Sequence, residues 1–105
     1  MSAYLRSCDE FDHAYGCYQY ALHKMLGRGT PRDMQASLKY ALKGCELGDM
    51  VSCQHVASLY EFGGEFGAVG IEADSQKALK YYKMSCDGGL QVSCDTYESL
   101  RQNIR

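Results

Sequence analysis

Apolar residues in the stretch 33–47 fall at Met34, Leu38, Ala41, Leu42 and Cys45, a spacing of i, i+4, i+7, i+8 and i+11 that draws one stripe along a helix. Asp33 stands where such a helix needs an N-cap, and Gly48 where it needs a residue free to turn left-handed. The next stretch, 50–62, places Val51, Val56, Leu59, Tyr60 and Phe62 toward a core and stops at Gly63-Gly64. The same paired pattern recurs as 13–26 ahead of Asp33, then as 74–87 followed by 91–104. A short segment before Cys8 ends an incomplete first unit. The pattern predicts an all-α chain of five main helices joined by tight turns.

Those helices repeat. Asp33-Met34-Gln35-Ala36-Ser37-Leu38-Lys39-Tyr40 aligns with Asp74-Ser75-Gln76-Lys77-Ala78-Leu79-Lys80-Tyr81 at an offset of 41, with Asp, Gln, Leu, Lys and Tyr coincident. The match runs on through Gly48/Gly89, Val51/Val92 and Ser52/Ser93. Cys17 and Cys53 are only 36 apart, so the second unit carries a five-residue insertion within 63–73. Helical repeats of the tetratricopeptide kind run to about 34 residues, and longer versions extend a turn. The expected architecture is a right-handed α-solenoid of about two and a half hairpins in one domain over 1–105. It divides into a partial unit 1–12, units 13–48 and 49–89, and a terminal half unit 90–105.

The six cysteines share the repeat's phase, as Cys8/Cys17, Cys45/Cys53 and Cys86/Cys94. In each pair the first ends one helix and the second sits one turn into the next, across a tight turn. Antiparallel helices joined that way bring the two within bridging distance, so three structural disulfides are expected. Closing a loop of about nine residues is worth roughly 2.5 kcal/mol in the chain-entropy model, a large share of a small domain's stability. Two alternatives stand beside this reading: reduced thiols filling the core, and zinc. Structural zinc ligands favour Cys-x-x-Cys spacing, which is absent, and His13, His23 and His55 show no ligand spacing.

Composition narrows the function. With 11 Lys+Arg against 13 Asp+Glu and no basic block, the chain lacks the electrostatic footprint of a nucleic-acid binder. No apolar run approaches the roughly 20 residues of a membrane span. No secretory apolar segment opens the sequence, and Asp9, Glu10 and Asp12 disfavour an Arg-rich presequence. Nine tyrosines, no tryptophan and the lone Pro31 suit helices.

The run Lys77-Ala78-Leu79-Lys80-Tyr81-Tyr82-Lys83-Met84-Ser85-Cys86-Asp87-Gly88-Gly89 resembles the second helix of a Sel1-like repeat, and Tyr60 with Gly63 falls where that repeat has its tyrosine and glycine. The resemblance covers about residues 8–100, and the helix-ending cysteines are similar to its disulfide-stapled subclass. Two branches of that subclass bear on function: the Sel1-like assembly factor of mitochondrial cytochrome c oxidase, and the cysteine-rich family of Helicobacter, some of whose members are described as penicillin-binding or weak β-lactamases. Cys8 and Cys17 with Gly16-Cys17-Tyr18 resemble the start of the mitochondrial branch. That resemblance implies the intermembrane space, reached by oxidative trapping, and partners among respiratory-complex subunits. The other branch implies a bacterial periplasmic or secreted protein, and a bacterial immunity or regulatory adaptor is a further alternative.

No catalytic residue or cofactor is expected. No serine begins Ser-x-x-Lys, and neither Ser-Asp-Asn nor Lys-Thr-Gly occurs. Glycines within 63–70 match neither a P-loop nor a dinucleotide fingerprint, and no haem-attachment motif is present. His13, His23 and His55 read as surface or groove residues. What remains is surface. Tyr15, Tyr18, Tyr20 and Tyr60 are candidate partner contacts, with inter-helix packing as the alternative. Phe66, Val69 and Ile71 in the insertion either dock into a partner or fold back. The last helix keeps an amphipathic pattern at Val92, Tyr97, Leu100 and Ile104, so its outer face is polar enough to cap the stack or another subunit covers it.

Overall fold

The computed structural model of the chain describes residue 8 and residues 13–27, 33–63 and 73–103. Five helices follow one another there: α1 Ala14–Leu26, α2 Met34–Glu46, α3 Met50–Phe62, α4 Ser75–Asp87 and α5 Gln91–Asn103. Each begins within two residues of its predicted start. Asp33 caps α2 by accepting the Ala36 N–H (3.0 Å), and Asp74 caps α4 by accepting those of Gln76 and Lys77. Asp49 caps α3 by accepting the Val51 N–H, and it also takes the Ser52 hydroxyl proton at 2.7 Å.

The two tight turns share one design. Gly48, at φ 99°, donates its N–H to Cys45 O, and Asp49 donates to Gly44 O. Gly89, at φ 103°, donates to Cys86 O, and Leu90 to Ser85 O. These paired bonds form a Schellman motif, whose left-handed residue has no Cβ to clash. The turn leaves the first cysteine in the last turn of one helix and the second at the fourth position of the next. The bridges Cys8–Cys17, Cys45–Cys53 and Cys86–Cys94 are all formed, each with a Cα–Cα distance of 4.6 Å. No described cysteine is free, which removes the thiol and zinc alternatives.

The longer turns also correspond. Asp33 donates its N–H to Lys24 O (2.8 Å), and Asp74 donates to Tyr60 O (2.7 Å). Lys24 and Tyr60 are equivalent positions 36 residues apart, so both ends of the insertion are anchored as in the shorter unit.

Each helix packs against the next, and α1 also reaches α3. The Cα envelope measures 42 × 29 × 15 Å, a slab too thin for a deep core. Its interior is three small clusters: Met34 with Leu59; Ala21, Ala41 and Val56; and Ala57, Ala78 and Tyr82. Tyr60 packs against all three. The Tyr82 hydroxyl donates to Glu61 Oε1 at 2.6 Å, so a buried phenol ends on a carboxylate.

Close approach replaces bulk at Gly44. A Cβ there would lie 2.5 Å from Ser52 Oγ, which Asp49 holds, and 3.3 Å from the Ala14 carbonyl. Alanine normally gains up to about 1 kcal/mol over glycine inside a helix. Here the crowding outweighs that gain, and Gly44→Ala lowers the urea unfolding free energy by about 1–2 kcal/mol. A stabilised variant would contradict this packing.

Two expectations about α3 are corrected. Val51 and Phe62 are both 37% exposed, not turned toward the core. Val51 occupies the second helical position, and its repeat equivalent Val92 is 59% exposed in α5. The position recurs because the turn recurs, not because the side chain is buried. Val92 therefore adds nothing to the inward face of α5, whose contacts come from Tyr97 and Leu100 against the Ala57–Ala78–Tyr82 cluster. Ile104 lies outside the described residues. The outer face of α5 is polar, and Glu98 pairs with Arg101 at 2.7 Å where α3 has Ala57 and Tyr60. Ser93 Oγ is buried without a hydrogen bond; its equivalent Ser52 has Asp49, whose place is taken by Leu90.

Candidate interaction surface

Four half-buried tyrosines form a row across the first four helices. Tyr20 of α1 meets Tyr40 of α2 edge-on, with centroids 4.7 Å apart and planes at 84°. Tyr60 of α3 stacks on Tyr81 of α4, at 6.1 Å and 19°. Tyr40, Tyr60 and Tyr81 all pack against the Ala21–Ala41–Val56 cluster, which joins the two pairs. The small alanines beneath let the rings lie close together while their rims stay in water.

Lysine ammonium groups sit over each ring. Lys24 lies 5.6 Å from the Tyr20 centroid, Lys39 5.3 Å from Tyr40, Lys77 5.2 Å from Tyr60 and Lys80 5.3 Å from Tyr81. Such contacts are worth about 0.5–1 kcal/mol each at exposed sites and hold flexible side chains in place. The Tyr81 hydroxyl pKa is raised by burial, then by Tyr60 and by the nearby Glu46 carboxylate, so the phenol stays a proton donor at neutral pH.

Of the residues predicted for partner contact, Tyr20 and Tyr60 belong to this row. Tyr18 does not: it meets His55 edge-on at 6.2 Å, and burial followed by the Asp49 charge raises its pKa. Tyr15 is 66% exposed on α1. Phe66, Val69 and Ile71 lie outside the described residues. Tyr40, Tyr81 and the four lysines were not singled out from sequence. The recurring dipeptides Lys39-Tyr40 and Lys80-Tyr81 were the available signal.

His13 is exposed at the N-cap of α1, and His23 is half-buried in that helix's last turn. His55 departs from the surface reading. Its Nε2 lies 2.9 Å from the Oγ of fully buried Ser37, which donates to Ala21 O at 2.8 Å. With the hydroxyl's one proton on that carbonyl, Nε2–H donates to Ser37. This is the reverse of an activated serine, whose proton points at the imidazole. The pair ties α1, α2 and α3 together.

Burial lowers the His55 pKa from 6.5 to about 4. The unfolded chain then binds more protons than the folded one between those values, so the contribution is complete above pH 6.5 and fades toward pH 4. Lowering the pH from 7.5 to 5.5 removes about 1 kcal/mol through this residue. Urea midpoints of wild type and His55→Gln across that interval check it; equal slopes would refute it.

The Sel1 repeat family profile matches residues 14–49 and 52–90. A 55-residue stretch is 34% identical to the cytochrome c oxidase assembly factor 7 homolog of Drosophila melanogaster, covering 50% of this chain and 21% of the fly protein. The crystal structure of a Sel1 repeat protein from Oxalobacter formigenes superposes with a TM-score of 0.69 at 29% identity, over 82% of this chain and 33% of that one. The chain thus spans about a fifth of the fly protein and a third of the bacterial one.

Proposed function

The chain belongs to the Sel1 repeat family, and from that premise we propose that it is a non-catalytic protein-interaction element. Hairpin solenoids present rigid, extended surfaces to protein segments. The observation that carries this reading is the row Tyr20–Tyr40–Tyr60–Tyr81, held half-exposed on stapled hairpins. Rigid aromatics with a polar tip are the side chains that protein interfaces favour. The three bridges suit an oxidising compartment.

More finely, the protein works in the mitochondrial intermembrane space as an assembly factor or accessory subunit of a respiratory complex. The likeness of half the chain to the fly assembly-factor homolog supports this. Among the described residues no helix is long and apolar enough to cross a membrane, so on this reading membrane association runs through partners. A second reading, a bacterial Sel1 protein, rests on the likeness to the Oxalobacter structure over 82% of this chain, and the three bridges would then suit the periplasm or the cell exterior.

Import into isolated mitochondria separates them. The expected product is oxidised, is released by rupturing the outer membrane, and co-isolates with a respiratory-complex intermediate from inner membranes. Protein left outside with six reactive thiols would sink the mitochondrial reading. Hydrolysis of a chromogenic β-lactam, lost on changing a single serine, would sink the non-catalytic one.

A further inference from the structure

Resting on that interaction role, we infer that the tyrosine–lysine row binds an extended acidic segment of a partner protein. The Lys24, Lys39, Lys77 and Lys80 ammonium groups lie along a surface contributed by α1 to α4. A free lysine loses considerable rotamer entropy when a ligand fixes it. These four already rest on ring faces, so part of that ordering is in place before a ligand arrives. The ring contact uses one side of each ammonium, and the remaining N–H groups of Lys39, Lys77 and Lys80, all exposed side chains, are donors for a carboxylate. The phenol of Tyr81 adds a neutral donor beside them.

The wider charge distribution favours a short acidic segment over a long polyanion. The chain carries −2 overall, so its positive charge is local. Glu46 lies close enough to act on Tyr81, and Asp33, Asp49 and Asp74 stand at the helix starts. With Glu46 beside Tyr81 the positive charge along the row is interrupted, which disfavours a phosphate backbone charged at every unit more than a segment whose carboxylates are spaced apart. The half-exposed rings offer apolar area for the methylenes between a segment's carboxylates.

The test is an NMR titration of the oxidised, ¹⁵N-labelled protein at low salt, with a short peptide alternating glutamate and serine. Amide shifts should concentrate at 20–24, 38–43, 57–61 and 77–82 and should shrink as salt is added. Lys39→Glu and Lys80→Glu each weaken binding about tenfold, while Arg101→Glu, the same charge change on α5, leaves it intact. A matching lysine–serine peptide gives no shifts. Absent or scattered shifts overturn the inference, as do stronger effects at the same amides from a DNA duplex or anionic phospholipid vesicles. Native co-isolation separates the two levels. A partner still captured by the Lys39→Glu/Lys80→Glu protein would leave the interaction role standing and overturn the acidic ligand; capture of no partner at all would sink the role itself.

Discussion

Replacing Cys45 and Cys53 together with alanine should lower the unfolding free energy by about 2–3 kcal/mol. For a domain of this size that lowers Tm by roughly 10–20 °C. The bridge joins the end of α2 to the start of α3, in the middle of the array, and both sulfurs are buried. Its loss frees the hinge across which the Ala21–Ala41–Val56 cluster is assembled and on which the Ser37–His55 bond depends. The Cys86–Cys94 bridge differs, since both its cysteines are partly exposed and α5 buries only Ser93 among its described residues. A thiol reductant added in increments under native conditions should open Cys86–Cys94 first, as read by alkylation and peptide mass. Opening Cys45–Cys53 first, or an unchanged melt in the double variant, would contradict this division of labour.

Leu59→Ala should remove about 2–4 kcal/mol, as much as a bridge. Leu59 is 1% exposed and is the largest of the fully buried side chains among the described residues. It packs with Met34, and Met25, Leu38 and Tyr60 close over them. Met25, Met34, Leu38 and Tyr60 bound the void and would have to leave their own packing to fill it, and most of the remaining interior is alanine, cysteine and serine, with little bulk to take their place. Tyr60 also borders that void, so the variant should loosen the Tyr60–Tyr81 stack. The readings are a urea midpoint and the tyrosine ring resonances. A loss under 1 kcal/mol would mean that the slab relaxes as readily as a loop.

Most of this fold is legible in the sequence because short-range chemistry sets it. Asp33, Asp49 and Asp74 cap helices, Gly48 and Gly89 turn left-handed, and the cysteines follow from the turn. The exposure of Val51 and Phe62 was not legible: α3 is apolar around much of its circumference, and only its neighbours select the buried side. The pairing of His55 with Ser37 is 18 residues long-range and leaves no linear spacing to find. Tyr40 and Tyr81 were visible as repeated letters, but repetition marks a place in the scaffold without saying whether its rim meets water. The row emerges only when Tyr20 and Tyr60 arrive from neighbouring helices.

Circular dichroism melting of the untagged protein, with and without excess dithiol reductant at neutral pH, bears most directly on the claim that covalent staples hold the hairpins rigid. Together the three bridges contribute on the order of 7 kcal/mol if additive, so the reduced chain should lose its cooperative transition or melt tens of degrees lower. A fully reduced protein, verified by six alkylated cysteines, that melts as sharply and as high as the oxidised one would contradict the account.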